Sequence, residues 1–468
     1  MIADLKRYPE YKDSGSRWLG EVPSTWEVRN LRTLIRPRNE RNRTDLPLLS
    51  VAREKGVFVR SLTDANENHN VIPEDLSNYK VARAGCLVIN KMKAWQGSMG
   101  IAPCDGIVSP AYFVFDFALA NRTFGQALLR SEPYVAHFGQ ASDGVRVGQW
   151  DLTIAGMRQI PVLVPPPAEQ ASIVRFLDWA NGRLQRAIRA KWKVIALLTE
   201  QKQAIIHSAV TRGLDPSVPL KPSGIPWLGD IPQHWEVRRL KFVASKIVDC
   251  LHATPRYSVD GTHPAIRTAD IAPGVVHLQK ARKISSKDYA RWTERLEPTE
   301  GDILYSREGE RFGIGACVPA GVRLCVSQRM MVFRIANQHC PPFVMWLLNG
   351  RSTYGQAQQD VMGATAPHVN ISTIRNYFLA VPPGDEQEAI VHHIELATHP
   401  IDVAAERLAR EIGLLREYRT RLVADVVTGK LDVRNAAAQL PEESEPDTVE
   451  EDADLSIDPK TADEEAVV

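Results

Sequence analysis

A direct repeat limits what this chain can fold into more than any other feature. Trp18-Leu-Gly-Glu-Val-Pro-Ser-Thr-Trp-Glu-Val-Arg-Asn-Leu31 recurs as Trp227-Leu-Gly-Asp-Ile-Pro-Gln-His-Trp-Glu-Val-Arg-Arg-Leu240, with nine of 14 positions identical at an offset of 209. Val164-Pro-Pro-Pro-Ala-Glu-Gln-Ala-Ser-Ile-Val174 recurs as Val381-Pro-Pro-Gly-Asp-Glu-Gln-Glu-Ala-Ile-Val391 at an offset of 217. Val210-Thr-Arg-Gly-Leu-Asp215 recurs as Val427-Thr-Gly-Lys-Leu-Asp432, also at 217. Three landmarks in one order mean two copies of one architecture. The intervening segments, about 32–158 and 241–375, are poorly alike. A common frame sets geometry, and a different insert in each half sets something specific.

The inserts read as mixed α/β. Cys86-Leu-Val-Ile-Asn90, Ala111-Tyr-Phe-Val-Phe115, Ile303-Leu-Tyr305 and Met330-Met-Val-Phe333 are short β-rich runs between turn residues. Helical stretches are expected near 122–131 and 341–350, and closing strands at Ile160-Pro-Val-Leu-Val164 and Tyr377-Phe-Leu-Ala-Val381. The prolines before Glu169-Gln170 and Glu386-Gln387 mark helix starts, where an early Glu suits the positive end of the helix dipole. The paired Trp, Leu and Pro of the first landmark read as a packing clamp.

Beyond each Glu-Gln the apolar residues recur at spacings of mostly 3, 4 and 7, the pattern of a coiled-coil seam. The first seam is Ile173, Leu177, Ala180, Leu184, Ile188, Ile195, Leu198, Ile205. The second is Ile390, Ile394, Ala397, Ile401, Ala405, Leu408, Ile412, Leu415, Leu422, Val426. Asn181-Gly182 and Pro400 punctuate them, so each half is expected to have a short helix, a kink, then a long helix at about 183–211 or 401–428, each roughly 43 Å long. Pairing about a pseudo-twofold axis makes these helices antiparallel and sets the inserts about one DNA turn, roughly 34–36 Å, apart. The expected fold is α+β: two mixed α/β domains joined by a two-helix antiparallel coiled coil. Its segments are an N-terminal arm at 1–16, a first domain at 17–167, a helical spacer at 168–226, a second domain at 227–383, a second spacer at 384–436 and a tail at 437–468.

Charge points to the partner. Residues 441–468 carry 12 acidic side chains and one Lys, which leaves 56 basic and 44 acidic residues in the rest of the chain. A basic body with an acidic, disordered tail suits a polyanion. Six cysteines without a CxxC pair read as reduced thiols. There is no run of about 18 apolar residues, and the opening residues lack an apolar core, so neither a spanning helix nor a secretory leader is expected and the setting is cytoplasmic.

The sequence carries no phosphate-binding GxxxxGK[ST], no GxGxxG after a strand, no Asn/Asp-Pro-Pro-Tyr/Phe, no HExxH and no GxSxG. The adjacent His392-His393 point to different helix faces. The inserts instead offer two pairs of polar loops. Asn90-Lys-Met-Lys-Ala-Trp-Gln-Gly-Ser-Met-Gly100 is matched by Ser306-Arg-Glu-Gly-Glu-Arg-Phe-Gly-Ile-Gly315. Asp143-Gly-Val-Arg-Val-Gly-Gln-Trp150 is matched by Met362-Gly-Ala-Thr-Ala-Pro-His-Val-Asn370. Arg and Lys can bond guanine, Gln and Asn adenine, and Glu the cytosine amino group. The candidate DNA contacts are Lys91, Lys93, Trp95, Gln96, Arg146, Gln149, Arg307, Glu308, Arg311, Phe312, His368 and Asn370. Trp95 and Phe312 suit either stacking on a base or filling the loop's own core. Phosphate contact or plain solvation competes with base contact at every position.

Tyr-Lys-Asp-Ser-Gly…Trp-Leu-Gly-x-x-Pro-x-x-Trp-Glu-Val-x-x-Leu, then Pro-Pro-x-x-Glu-Gln-x-x-Ile, then a long helix ending Ala-Val-Thr-x-Gly-Leu-Asp, resembles the specificity subunit of type I restriction–modification systems. The likeness covers about 1–435 and occurs twice. It implies two target-recognition domains reading a bipartite, asymmetric site in double-stranded DNA, with the paired helices as a ruler. It implies no catalytic residue, metal or cofactor in this chain. S-adenosylmethionine would sit on two modification (adenine-N6 methyltransferase) subunits, and ATP and Mg²⁺ on two restriction (translocase and nuclease) subunits. The helices at 168–212 and 385–430, with Trp192, are the expected docking faces. The alternatives are a stand-alone DNA methyltransferase or nuclease with an unrecognised active site, and a scaffold that never touches nucleic acid.

Overall fold

The computed structural model describes residues 5–61, 73, 75–146, 149–309, 311–359 and 368–441, so the acidic run from 442 lies outside the described residues. The chain divides into two units, residues up to 192 with those from 409 onward, and residues 193–408. Each unit holds one insert and a segment of each long helix, Pro167–Arg212 and Gly384–Val427.

In the first unit four antiparallel strands lie in the order Ile35–Pro37, Tyr112–Phe117, Leu87–Asn90, Met99–Ile101. Leu87 and Ile89 face the helices through Phe124 and Leu128, while Val88 packs on Leu49, Val51 and Val108. Both faces are covered, which is why this strand reads as an unbroken apolar run and not as an alternating one. In the second unit the order is Ala244–Asp249, Met330–Ile335, Ile303–Ser306, Gly315–Cys317. Ile303 and Tyr305 face Phe343 and Leu347, and Leu304 faces Ile266 and Val318. The expected helices appear as Arg122–Leu129 and Pro341–Leu348. Each closing strand pairs with the strand of its own Trp landmark, Pro161–Val164 with Glu27–Asn30 and Phe378–Val381 with Glu236–Arg239.

The repeated landmarks meet in space. Trp26 and Trp235 are fully buried, and their indole Nε1–H groups donate to Glu169 Oε1 at 2.9 Å and Glu386 Oε1 at 3.0 Å. The neighbouring Gln170 donates to the Pro165 carbonyl at 2.8 Å and accepts from Asn121 N at 2.9 Å. Gln387 repeats this with the Pro382 carbonyl at 2.8 Å and Cys340 N at 2.9 Å. The Glu-Gln pair therefore fastens the helix start to the Trp clamp, to the closing strand and to the start of the short helix, and each buried polar group has a partner.

The long helices depart from expectation. Each is uninterrupted, 46 and 44 residues long, with Pro400 in the interior of the second. No break separates a short helix from a long one. Pro400 is exposed, so its ring and the carbonyl it leaves unbonded face away from the seam. Gly182 costs about 1 kcal/mol relative to Ala, which tertiary packing of the apolar face on both sides offsets.

The helix segments run antiparallel within each unit. In the first, Lys191 pairs with Glu411 and Arg419 donates to Gln185 at 3.3 Å. In the second, Lys202 pairs with Asp402 at 2.6 Å, and the end of the first long helix reaches Glu386 and Trp235 through Gly213. Gly213 has φ +73°, and a Cβ there would lie 3.1 Å from Glu386 Oε1. Gly429, with φ +76°, ends the second helix against Pro23 and Trp26 in the first unit, where a Cβ would lie 2.5 Å from Pro23 Cδ. Glycine is needed at both places for the left-handed backbone and the close approach.

Candidate nucleic-acid interface

The same strand of each sheet launches the first candidate loop. In the first unit it follows Leu87–Asn90, and a one-turn helix, Ala94–Gln96, ends at Gly97 with φ +86°. Leu152 N donates to the Lys91 carbonyl at 2.9 Å, so the hairpin Ser142–Arg146 and Gln149–Leu152 lies alongside. Lys91 pairs with Asp151 at 3.0 Å, Lys93 is exposed and Gln96 is half-buried. Trp95 packs on Trp150 at 5.1 Å and donates to the Met92 carbonyl at 3.1 Å. Arg146 and Gln149 are register partners at the hairpin end, and their side chains lie outside the described residues.

In the second unit the corresponding loop follows Ile303–Ser306, and the second loop again lies against it. Val369 N donates to the Arg307 carbonyl at 3.1 Å, and Glu308 bridges to His368. Together the loops line an open cavity of about 450 Å³ formed by Arg307, Glu308, Gly309, Arg329, His368 and Asn370. The sequence names four of these six residues without placing them together. It misses Arg329, whose only signal is a polar pair, Gln328-Arg329, just before the apolar strand Met330–Ile335.

Burial divides the second unit's candidates. Arg307 is 7% exposed, and its guanidinium is held by Asp249 at 3.3 Å and by Glu308. Asp249 also lies 2.9 Å from His252 Nε2. Arg307 is therefore a neutralised buried cation and not a free donor at the surface. Phe312 is 8% exposed and stacks on Tyr354 with ring centroids 4.9 Å apart, so it fills the loop's own core. Arg311 is exposed, and its Nη2 donates to the Ile271 carbonyl at 2.7 Å. His368 and Asn370 are exposed, and Asn370 stands at the start of the helix Ile371–Arg375.

Thiols take no evident part. Burial pushes Cys317 and Cys325 up to about 12, and all six cysteines are unpaired. Among the described residues, no group of three His, Cys, Asp or Glu side chains is placed to hold a metal ion. No described helix is long and apolar enough to cross a membrane.

Residues 232–407 match the type I restriction modification DNA specificity domain. Over 338 residues the chain is 21% identical to the EcoKI specificity subunit of Escherichia coli K12, covering 70% of this chain and 68% of that relative. It is 22% identical over 282 residues to the MjaVIII specificity subunit of Methanocaldococcus jannaschii, covering 59% of this chain and 63% of that one. The fold matches a chain from a solved type I restriction–modification system at a TM-score of 0.60 and 16% identity, over 88% of this chain and 99% of the other. A duplicated frame with unlike inserts, the domain match over residues 232–407 and these relatives agree in one respect: the chain is similar to the specificity subunits of type I restriction–modification systems.

Proposed function

We propose that each unit reads one part of a bipartite, asymmetric site in double-stranded DNA, and that partner subunits perform the chemistry. Specificity subunits, which this chain resembles, are the non-catalytic members of such systems. One observation carries the reading. In both units a polar loop leaves the third strand of a sheet with the same order, and a second polar segment is hydrogen-bonded to the start of that loop, yet the side chains differ. A shared scaffold with unlike polar tips suits two different base sequences.

The partners follow from the family. Two modification subunits would bind S-adenosylmethionine and methylate adenine N6, and two restriction subunits would use ATP and Mg²⁺ in the cytoplasm. The proposed segments remain a first recognition domain at 17–167 and a second at 227–383. The spacers at 168–226 and 384–436 would set the unread base pairs between the two parts of the site.

The test is to assemble the chain with its modification subunits and map methylated adenines across a randomised DNA library. A bipartite motif is expected. Transplanting loops 90–100 and 143–150 from a subunit of different specificity should change one part of the motif and leave the other. Methylation without sequence preference, or a change in both parts, would overturn the reading.

A further inference from the structure

Arg329 has an unusual backbone. Its φ is +71°, in a left-handed region that an L side chain rarely adopts, and only Asn42 shares this among the described non-glycine residues. The conformation is pinned from both sides. The Arg329 carbonyl accepts from Arg307 N at 3.1 Å, and the next carbonyl, of Met330, accepts from Cys250 N at 3.1 Å. Met330 then enters the central strand opposite Ser306. The strained residue is thus tied directly to the loop that carries Arg307. Such outliers persist where the surroundings over-determine them, and they cluster at functional sites.

The side chains of the two arginines have opposite surroundings. Arg307 is buried and neutralised by Asp249 and Glu308. Arg329 is exposed and, among the described residues, has no ion pair and no side-chain hydrogen bond. Its Nη1 lies 3.8 Å from the position of a Cβ on Gly309, itself at φ +83°. The guanidinium therefore reaches across the cavity mouth over Gly309, which has no side chain. It stands beside His368 and Asn370, with its donors unused among the described residues.

Resting on the reading that this unit contacts DNA, we propose that Arg329 is the guanine-reading side chain of the second unit, and that Arg307 is a positioning residue that holds the cavity wall behind it. A guanidinium fork matches guanine O6 and N7 in the major groove, and lysine, which can bond the same atoms, lacks the planar fork. The strained backbone fixes the direction in which the fork leaves the strand, which spares part of the ordering cost on binding.

The experiment uses the full chain assembled with its modification subunits, a randomised duplex library and methylation as the readout. Arg329→Ala, Arg329→Lys and Arg329→Gly are compared with the parent. The parent should require guanine at one position in the part of the site read by the second unit. Arg329→Ala and Arg329→Gly should lose that preference by about tenfold to a hundredfold, Arg329→Lys should keep part of it, and every other position should stay unchanged. Arg329→Gly relieves the backbone conformation, so a loss in that variant cannot be assigned to misfolding. Weaker methylation of all sequences alike in Arg329→Ala, with the guanine preference kept, would make the residue a phosphate contact and overturn the proposal, as would an unchanged motif in that variant. Either result leaves a sequence-specific parent, and with it the functional reading, intact. A parent without any sequence preference would overturn both.

Discussion

The indole Nε1–H of Trp26 donates to Glu169 Oε1 across 2.9 Å in an environment where Trp26 is fully buried and Glu169 is 6% exposed. Trp235 and Glu386 repeat the bond at 3.0 Å, but there His234 Nε2 also lies 2.7 Å from the carboxylate. A bond to a carboxylate that is almost fully buried is worth more than one to a carboxylate shared with an exposed histidine. Trp26→Phe should therefore destabilise its unit by about 2–3 kcal/mol, and Trp235→Phe by less. Urea unfolding followed by hydrogen exchange in each unit separates the two. A double-mutant cycle with Glu169→Gln should show that the second change adds little once the indole is gone. Equal losses at the two sites, or additive effects in the cycle, would contradict the assignment.

The helix pairing rests partly on charge. Lys202 and Asp402 lie 2.6 Å apart, both partly exposed, so the pair itself contributes less than about 1 kcal/mol. Lys202→Glu should cost about 1 kcal/mol by adding repulsion, and Lys202→Glu with Asp402→Lys should recover most of it. The recovery, read as a melting temperature, should shrink in high salt. Failure of the double variant to recover would mean that the two side chains do not meet in solution.

His137 stacks on Trp18 at 4.3 Å, and burial pushes its pKa below the usual value. The unfolded chain therefore binds a proton at this site more readily than the folded one. Stability from the neutral ring is present above the unfolded histidine pKa and declines as pH falls through it. Comparing melting temperatures at pH 7.5 and pH 5, the parent should lose more than His137→Phe does. An identical drop in both would remove His137 from the acid response.

Lys93 and Phe312 should behave in opposite ways. Lys93 is exposed on the first loop and has no ion pair among the described residues. Lys93→Ala should leave stability within about 0.5 kcal/mol and reduce the slope of log affinity against log salt by about 1. Phe312 is 8% exposed and packed on Tyr354. Phe312→Ala should cost about 3–5 kcal/mol of stability and weaken DNA binding only as the unit unfolds. A folded Phe312→Ala protein with lost DNA affinity would return Phe312 to the contact surface.

Much of the local structure was legible because period and punctuation carry it. Strand Leu87–Asn90 and helix Arg122–Leu129 lie within a residue or two of their expected positions. The Glu-Gln pair was legible as a helix start, but its hydrogen bonds to Trp26, Asn121 and Pro165 were not, since they join residues as far as 143 positions apart. Pro400 and Gly182 misled because punctuation reports local cost, and a helix held along its apolar face absorbs that cost. Polar loops were the least legible. Arg307 and Arg329 look alike as letters, yet one is buried between carboxylates and the other stands open at the cavity mouth.

Taken alone, the order of residues determined that the frame occurs twice, where its strands and helices begin, and which loops carry polar variety. These follow from side-chain period, turn chemistry and charge, all of which act over a few neighbouring residues. Only the tertiary structure decided which loops share a cavity, which arginine is spent on internal carboxylates and which residue of a repeated motif bonds to which. Burial and pairing depend on what distant strands deliver to the same place, and a one-dimensional pattern carries no record of that.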